Sequence, residues 1–351
     1  MGKKKNNLPK NFKELIEAGD ISALKEVFTQ CELDARGGYS KSTALSFFKI
    51  PDELVYWLVE QGADVNAHDI FGETPLHSHA RSWCGNVQLL LDLGANIEAT
   101  DNNNRTPLHT AADSFKPKAV QTLVNHGANV NAKNKSEQTP LAFALSRCRN
   151  IDIVNMADIA EILLNAGTAI TPEMKDSIMR IGKDFEFHRD GFNKEHLDQT
   201  DEALLRLYKL FDVMSVEHRR LHDGISPINV TAKSWQDQHK ELWNLLVPSS
   251  GHAKTVQGEV IRITGRVSHE ILDNGSGNCD NDYRKMLDAL EEYIGLGNPL
   301  DDESRQETGK LAKKIRGGNS DYETDRLCEL AVQWVLLNTN PVVLKQPEYK
   351  R

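Results

Sequence analysis

Residues 248–255 read PSSGHAKT and follow the apolar run LWNLLV at 242–247, so they could begin a phosphate-binding loop after a strand. Such a loop requires G-x-x-x-x-G-K-[ST], because its two glycines let backbone N–H groups approach the phosphates. When the segment is aligned on its Lys-Thr pair, Pro248 and Ala253 stand where the glycines belong. We therefore predict no nucleotide cofactor and interpret the segment as a turn between two helices.

Two histidines, His218 and His222, are four positions apart, a spacing at which one helix face can share a metal ion. The glutamate of the H-E-x-x-H motif is absent, and Arg219 and Arg220 between the histidines would repel a cation. The acidic stretch DNGSGNCDND at 273–282 lacks the alternating oxygen ligands and closing glutamate of a calcium loop, so we interpret it as a loop between helices. No metal site is predicted.

A stripe of alternating charge is formed by Glu259, Arg262, Arg266 and Glu270, which recur at steps of three or four residues. On an exposed helix face such a stripe forms weak ion pairs, worth ~0.3–0.5 kcal/mol each. On a helix surrounded by other helices, the same charges would be desolvated and would indicate a polar pocket. The exposed face is the default interpretation, and burial of Arg262 would overturn it.

The composition of the chain argues against several classes of protein. The net charge is -9, and no cluster of lysine and arginine interleaved with aromatic residues occurs, so nucleic acid is not predicted as a partner. No apolar stretch reaches the ~18 residues that span a bilayer, so no membrane segment is predicted. The five cysteines form no C-x-x-C pair, which favours a reducing, cytoplasmic location over disulfides or a zinc site.

Two short phrases alternate along the first half of the chain. The first occurs as GETPLH at 72–77, NRTPLH at 104–109 and EQTPLA at 137–142. The second occurs as GADVNA at 62–67, GANIEA at 94–99, GANVNA at 127–132 and, more loosely, GTAITP at 167–172. The threonine of the first phrase is suited to cap a helix, and its proline stands where a missing N–H costs nothing. The glycine of the second phrase supplies the positive φ that ends a helix.

The first phrase recurs every 32 or 33 residues. The two phrases, in this order and at this period, resemble the ankyrin repeat family. The resemblance implies antiparallel helix pairs joined by β-turn fingers and stacked into an all-α solenoid. It also implies that the histidine of each TPLH phrase ties neighbouring repeats together. One such unit cannot bury its own apolar face, so its stability comes from its neighbours.

The pattern weakens away from its centre, and about five repeats are predicted, above the ~3 that a stable stack needs. NFKELIEAGDISALKEVF at 11–28 lacks the TPLH phrase and is interpreted as an N-terminal capping repeat. STALSF at 42–47 begins a degenerate repeat with Thr43 in the capping place. About seven extra residues around 150–158 account for the greater length of the last repeat.

In the ankyrin family, partner proteins bind to the finger tips and to the adjacent concave helix face. The resemblance carries this role to Ile70, Phe71, Glu73, Arg81, Trp83, Asn102, Asn103, Arg105, Asp113, Phe115, Lys135, Gln138 and Arg147. Trp83 and Phe115 stand in a helix-to-helix turn where the family favours glycine. Ile70 and Phe71 have no local structural use at a turn, which favours recognition, although they could instead pack on the neighbouring finger.

Beyond residue 170 the repeat phrases stop while helical patterns continue. A helix is predicted at 201–222 on the basis of its apolar side, formed by Leu204, Leu207, Tyr208, Phe211 and Met214. From Ser234 onward we predict about five more helices and no strand, which together form an all-α bundle. Ser249 or Ser250 is expected to cap one of these helices.

The sequence thus predicts five segments, and we expect two of them to carry the function. The segments are a tail at 1–9, ankyrin repeats at 10–170, capping helices and a linker at 171–231, a helical bundle at 232–340 and a tail at 341–351. LLVPSSGHAKTVQGEVIRITGRVSHEI is similar to a module of bacterial proteins of undefined activity, which suggests a bacterial source.

The predicted function is that of a non-enzymatic scaffold or adaptor that binds a partner protein through the repeats. A narrower version is a bacterial inhibitor of the immunity type. The alternative is an enzyme whose repeats recruit the substrate and whose C-terminal domain holds an active site around Arg262, Arg266 and Glu270. No catalytic residue and no cofactor are predicted, and the oligomeric state stays open.

Overall fold

The computed structural model describes residues 3–274, 280–316 and 322–350. Half of the predicted loop at 273–282, residues 275–279, therefore lies outside the described residues. The chain divides into two compact units. Unit 1 comprises Met1–Asp184 and Asn193–Val216, and unit 2 comprises Phe185–Phe192 and Glu217–Arg351.

Unit 1 begins with two helices and a small sheet. The helices are α1 (Phe12–Ala18) and α2 (Ile21–Gln30), as expected for the capping repeat. Gly19 has a φ of 70° and ends α1. The side chain of Asp20 accepts a hydrogen bond from the Ala23 N–H and caps α2. The strands are β1 (Lys5–Asn7), β2 (Cys31–Gly37) and β3 (Ser42–Thr43).

The sheet differs from two expectations. β1 pairs parallel with β2, so residues 5–7 form an edge strand where a tail was expected. β2 pairs antiparallel with β3, and a short 3-10 turn over Ala44–Ser46 replaces the first helix of the degenerate repeat. Thr43 precedes this turn but makes no capping hydrogen bond. Pro51 disfavours helical backbone in the residue before it, which limits the space for a helix here.

The central repeats contain the predicted helix pairs, preceded by one further helix. These helices are α3 (Asp52–Glu60), α4 (Pro75–Ala80), α5 (Val87–Asp92), α6 (Pro107–Asp113), α7 (Pro117–Asn125), α8 (Pro140–Arg147) and α9 (Ile153–Asn165). α6 packs against α4 and α8, so one apolar core continues from repeat to repeat. The extra residues of the last repeat form a 3-10 turn and lengthen α9 to 13 residues, against nine in α7.

Two longer helices follow, α10 (Pro172–His188) and α11 (Leu197–Phe211). The prediction that α11 extends to residue 222 is wrong. Asp212 has a φ of 50°, and the Val213 N–H donates to the Tyr208 carbonyl over 3.0 Å, which closes the helix. The apolar stripe has no continuation at 215, 218 or 222, and Met214 is 86% exposed. His218 and His222 therefore share no helix face.

Unit 2 contains the five predicted helices. They are α12 (Trp235–Leu246), α13 (Val256–Asn274), α14 (Asn281–Tyr293), α15 (Asp302–Arg316) and α16 (Tyr322–Leu337). The run LWNLLV is thus helical, and PSSGHAKT is the connection between α12 and α13. The capping residue of α13 is Thr255, whose Oγ1 accepts a hydrogen bond from the Gly258 N–H over 3.1 Å. Ser249 and Ser250 stand too far before the first turn to fill this role.

α13 is the central helix of unit 2, because it packs against α12, α14 and α16. Gly265 allows the close approach of α12, since a Cβ atom at this position would lie only 2.8 Å from Cε3 of Trp243. The segment expected to be a tail at 341–351 also packs on the bundle. The Val256 N–H donates to the Val342 carbonyl over 2.8 Å, and Tyr349 is 97% buried, being 3% exposed.

Candidate partner-binding surface on the fingers

Each of three successive fingers is held by one side chain at its start. Oδ1 of Asp69 accepts hydrogen bonds from the N–H groups of Phe71 and Glu73, over 2.8 and 2.9 Å. Asp101 and Asn134 accept equivalent pairs of bonds in the next two fingers. Because these bonds tie side chain to backbone within four residues, the conformation of each finger is fixed locally.

The fingers also bond to one another through their backbones. The Ile70 N–H donates to the Ser40 carbonyl over 3.0 Å, and the Asn102 N–H donates to the Phe71 carbonyl over 2.9 Å. The Lys135 N–H donates to the Asn103 carbonyl, also over 2.9 Å. We call this series the finger ladder. It sets the spacing between the tips of adjacent repeats.

A second set of contacts between repeats comes from the histidines of the TPLH phrases. Nδ1 of His77 lies 3.2 Å from the Thr74 N–H that donates to it, and Nε2 lies 3.0 Å from the Arg105 carbonyl of the next repeat. His109 makes the same pair of contacts, with Gln138 as the partner in the following repeat. Burial lowers the pKa of both imidazoles, so they stay neutral and keep one donor and one acceptor nitrogen.

Three apolar side chains are exposed together at the tips, and we call them the tip patch: Tyr39, Ile70 and Phe71. Ile70 is 53% exposed and Phe71 is 44% exposed. The rings of Tyr39 and Phe71 lie 6.1 Å apart between centroids. Phe71 therefore both packs on a neighbouring turn and remains available to a partner. Tyr39 was not predicted, because it precedes the first TPLH phrase and belongs to no repeat signature.

Charged side chains beside the tip patch form ion pairs across the repeats. Arg81 and Arg105 both face the carboxylate of Glu73, with the Arg105 guanidinium at 3.8 Å. Arg105 also lies 2.6 Å from Asp101, and Arg147 pairs with Asp113 of the preceding repeat. We call these six residues the charge network.

The charge network and the tip patch meet at a cavity of about 370 Å³. Its lining residues are Phe71, Glu73, Arg81, Asn102, Asn103, Arg105, Thr110, Asp113 and Ser114. The hydroxyl of Thr110 is buried and has no hydrogen-bond partner within the described residues. An incoming polar group would gain this bond at no cost in competing protein contacts.

Phe143 is a further part of this surface that the sequence did not reveal. The guanidinium carbon of Arg147 lies 5.5 Å from the centre of its ring, and that of Arg105 lies 6.0 Å away. Cation–π attraction of this kind holds both arginines in place over the ring. No sequence motif marks Phe143, because it occupies a variable position inside the first helix of its repeat.

The structure brings together most of the thirteen predicted residues. Seven line the cavity: Phe71, Glu73, Arg81, Asn102, Asn103, Arg105 and Asp113. Arg147 joins them through Asp113, and Ile70 belongs to the tip patch. Lys135 is exposed on the next finger, where Gln138 is half-buried and accepts the bond from His109.

The two predicted residues of the helix-to-helix turns differ from each other. Trp83 is 75% exposed, and the Lys116 ammonium lies 3.7 Å from the centre of its ring. Phe115 is instead a core residue, only 7% exposed, so its placement as a partner-binding residue does not fit the structure. Its φ of 53° satisfies the left-handed turn that the family usually gives to glycine, and its ring packs inward.

The charge stripe on α13 is buried, so its interpretation as an exposed face is wrong. Glu259 and Arg262 are both fully buried, and Glu270 is nearly so, whereas Arg266 is half-buried. Nε of Arg262 donates to Oε2 of Glu259 over 2.9 Å, and the Tyr349 hydroxyl donates to Oε1 of Glu259 over 2.7 Å. His252 and Ala253, in the connection before α13, also contact Glu259.

The electrostatics of this buried pair favour its charged form. Burial alone would raise the pKa of Glu259, but the hydrogen bond and charge of Arg262 outweigh it and lower the pKa below the usual value. The Ala253 N–H and the Tyr349 hydroxyl add to this stabilisation. A nearby cavity of about 540 Å³ is lined by Tyr293 and Tyr349, and Arg262 is not among its lining residues.

Comparison with known proteins identifies the class of unit 1. A model of the ankyrin repeat family, described as three copies of the repeat, matches residues 42–134 and 87–174. Residues 42–174 are therefore ankyrin repeats, which are protein–protein interaction domains. No curated protein matches the chain. The likeness of the C-terminal module to bacterial proteins stays a prediction.

The described residues contain neither a membrane-spanning helix nor a metal-binding cluster. None of the described helices combines the length and the apolar character needed to cross a membrane. No group of three histidine, cysteine or acidic side chains in the described part of the chain is arranged to hold a metal ion.

Proposed function

We propose that this protein is a non-enzymatic adaptor whose ankyrin repeats hold one partner protein across the finger tips and the adjacent helix face. The observation that carries the proposal is the tip patch beside the 370 Å³ cavity. Exposed apolar side chains on a backbone fixed by the finger ladder bind at little cost in conformational entropy. Hot spots of protein interfaces have this combination of an aromatic anchor and nearby arginines.

The surface favours a partner with two kinds of group. An apolar side chain of the partner would cover Phe71 and Ile70, which are partly exposed in the free protein. A polar group beside it would bond to Thr110 or to the edges of the charge network. Since Arg81, Arg105 and Arg147 already face carboxylates, the network supplies specificity more than net affinity.

Site-directed photocrosslinking tests the proposal. Benzoylphenylalanine replaces Phe71 in one variant and Met214, an 86% exposed residue of the same unit, in a control variant. After irradiation in an extract of the source cells, we expect a discrete crosslinked protein at position 71 and none at 214. A folded protein that gives no crosslink at 71, or the same products at both positions, would contradict the proposal.

A second variant pair tests the chemistry of the patch. Replacement of Ile70→Ser and Phe71→Ser together should reduce capture of the crosslinked partner at least about tenfold, since two apolar anchors are lost. The matched control is Ile151→Ser with Met214→Ser, because Ile151 and Met214 are also highly exposed. Equal capture by both double variants would exclude the tip patch as the binding surface.

Two finer versions of the function rest on different observations. The inhibitor version rests only on the likeness of the C-terminal module, and a toxin-like reading frame beside the gene would support it. The enzyme version places an active site around Arg262, Arg266 and Glu270. The packing does not favour it, because Arg262 is fully buried and its charge is matched by Glu259.

A further inference from the structure

A second groove lies in the N-terminal part of unit 1, where β1, α1, α2 and β2 meet. Its volume is about 990 Å³, more than twice that of the finger cavity. The two share no lining residue. The adaptor function proposed above makes no use of this groove.

The floor of the groove is apolar. Leu8, Phe12 and Cys31 form its deepest part, and each is less than 8% exposed. Half-buried apolar residues continue the floor toward the surface: Pro9, Leu15, Val27 and Phe47. Such a floor favours an apolar side chain over water.

The rim of the groove is basic, although the protein as a whole has a net charge of -9. Five of the lining residues are cationic: Lys5, Lys10, Lys13, Arg36 and Lys41. Two are anionic, Glu14 and Glu26. The N-terminal segment accounts for most of the excess, since residues 3–13 contain five lysines and no acidic residue.

The rim lysines differ from the arginines of the finger surface in their partners. Arg81, Arg105 and Arg147 each face a carboxylate. Lys5, Lys10, Lys13 and Lys41 form no ion pair with any described residue. Like charges gathered around one groove repel one another, so the arrangement costs free energy unless an anionic group neutralises it.

Hydrogen bonds from both side chains and backbone hold the basic segment beside the groove. The Lys4 ammonium donates to the Phe28 carbonyl over 2.7 Å, and the Leu8 N–H donates to the Arg36 carbonyl over 3.0 Å. Arg36 in turn donates to the Lys41 carbonyl over 3.0 Å. The rim is therefore pre-organised by contacts that leave Lys5, Lys10 and Lys13 free to face a ligand.

We propose that this groove binds an acidic peptide segment of a partner protein, with an apolar side chain on the floor and flanking carboxylates against the rim lysines. Charge complementarity and the apolar floor together select this occupant. Nucleic acid would satisfy the lysines but leave Phe12 and Leu8 without an apolar contact. An anionic membrane is flat on this scale, and its acyl chains would not reach a floor recessed between charged side chains.

Fluorescence anisotropy with a defined probe tests the proposal. The probe is a fluorescein-labelled dodecapeptide in which two glutamates alternate with one leucine, and it is titrated with the full chain at low salt. We expect saturable binding that weakens as sodium chloride rises, because rim charges are screened over ~10 Å at 0.1 M. A peptide with serine in place of leucine should bind at least about fivefold more weakly, since the floor then stays empty.

Charge-reversal variants locate the binding. Lys10→Glu with Lys13→Glu should weaken binding of the probe about tenfold or more, since two attractions become repulsions. The control is Lys118→Glu with Lys183→Glu, which makes the same change of net charge at exposed positions of the same unit outside the groove. Because all four side chains are exposed, both variants are expected to fold, which circular dichroism verifies.

Each outcome bears on the proposal. Loss of binding in the groove variant alone supports it. Equal loss in both double variants, absence of binding up to about 1 mM protein, or indifference to the leucines overturns it. Tighter binding of single-stranded DNA or of phosphatidylserine vesicles than of the peptide would assign the groove to that ligand and overturn the peptide. Crosslinking at position 71 is a separate measurement, so failure of the peptide proposal would not contradict the role proposed for the finger surface.

Discussion

The Tyr349 hydroxyl donates a 2.7 Å hydrogen bond to the carboxylate of Glu259, which stands 90 positions earlier in the chain. Both side chains are buried, and the bond ties the last described residues of unit 2 to the first turn of its central helix. Without this bond, the Tyr349 hydroxyl and one carboxylate oxygen of Glu259 would each lose a hydrogen bond in a buried position, which costs free energy.

We expect Tyr349→Phe to lower the free energy of unfolding of unit 2 by about 1.5–3 kcal/mol, because a buried bond to a charged group is lost. Hydrogen exchange of the α13 amides, followed by mass spectrometry, measures the change within this unit. Tyr56→Phe, at a half-exposed tyrosine of unit 1, should leave the exchange unaltered. Unchanged protection of α13 in Tyr349→Phe would show that the bond contributes little.

Breaking the Glu259–Arg262 pair from one side should cost more than removing it whole. Glu259→Gln leaves the Arg262 charge buried without its counter-charge, and we expect a loss of about 3–5 kcal/mol. The double variant Glu259→Gln with Arg262→Met removes both charges and should recover part of that loss. Urea unfolding of the single and double variants measures the difference. A double variant less stable than Glu259→Gln would contradict this account.

His79 should make the stability of unit 1 depend on pH. Its Nδ1 accepts from the Asn86 N–H over 3.0 Å, and its Nε2 lies 3.1 Å from the Leu45 carbonyl, so the bonds require a neutral ring. Burial lowers the pKa of His79 to about 4, against about 6.5 in the unfolded chain. Below pH 6.5 only the unfolded state gains the proton, so stability falls as the pH is lowered toward 4.

The expected loss from His79 is about 2 kcal/mol between pH 6.5 and 5, at roughly 1.4 kcal/mol per pH unit. Urea unfolding of the wild type and of His79→Gln at both pH values isolates the contribution of His79 to this loss of stability, because the other histidines contribute equally to both proteins. The variant should lose less stability over this range. Parallel pH profiles for His79→Gln and wild type would refute the assignment.

Gly265 should tolerate no side chain. A Cβ atom there would lie 2.8 Å from Cε3 of Trp243, whose side chain is half-buried. We expect Gly265→Ala to lower the melting temperature, with a cost of about 1–3 kcal/mol from the forced separation of α12 and α13. Gly309→Ala is the control, since the nearest atom would be 3.9 Å away and alanine favours the helix by ~1 kcal/mol. Equal effects of the two changes would argue against close packing at Gly265.

The parts of the fold that the sequence predicted are those held by local rules. The finger positions, the threonine caps and the histidine bonds all follow from contacts within a few residues or between repeats at a fixed period. The helices of unit 2 followed from apolar periodicity. The end of α11 at Phe211 did not, because a single left-handed residue, Asp212, closes it without a glycine.

Longer-range features were beyond such rules. The pattern of Glu259 and Arg262 is the same on an exposed face and on a buried helix, so only the tertiary packing around α13, including Tyr349, decided between them. The sheet over residues 5–43 depends on pairing between strands that carry no alternating pattern. Tyr39 and Phe143 belong to the candidate binding surface because they lie close to it in space, which no repeat signature encodes.

In the finger ladder, the backbone groups that fix the positions of the fingers are distinct from the side chains that would contact a partner. Its bonds run between backbone groups of Ser40, Ile70, Phe71, Asn102, Asn103 and Lys135, so they persist whatever side chains those positions carry. Under the proposed adaptor function, a change of the Ile70 or Asn103 side chain would alter the contacts with the partner while the backbone bonds of the neighbouring fingers stay in place. Substitutions in the proposed surface could therefore change the specificity of one finger at a time.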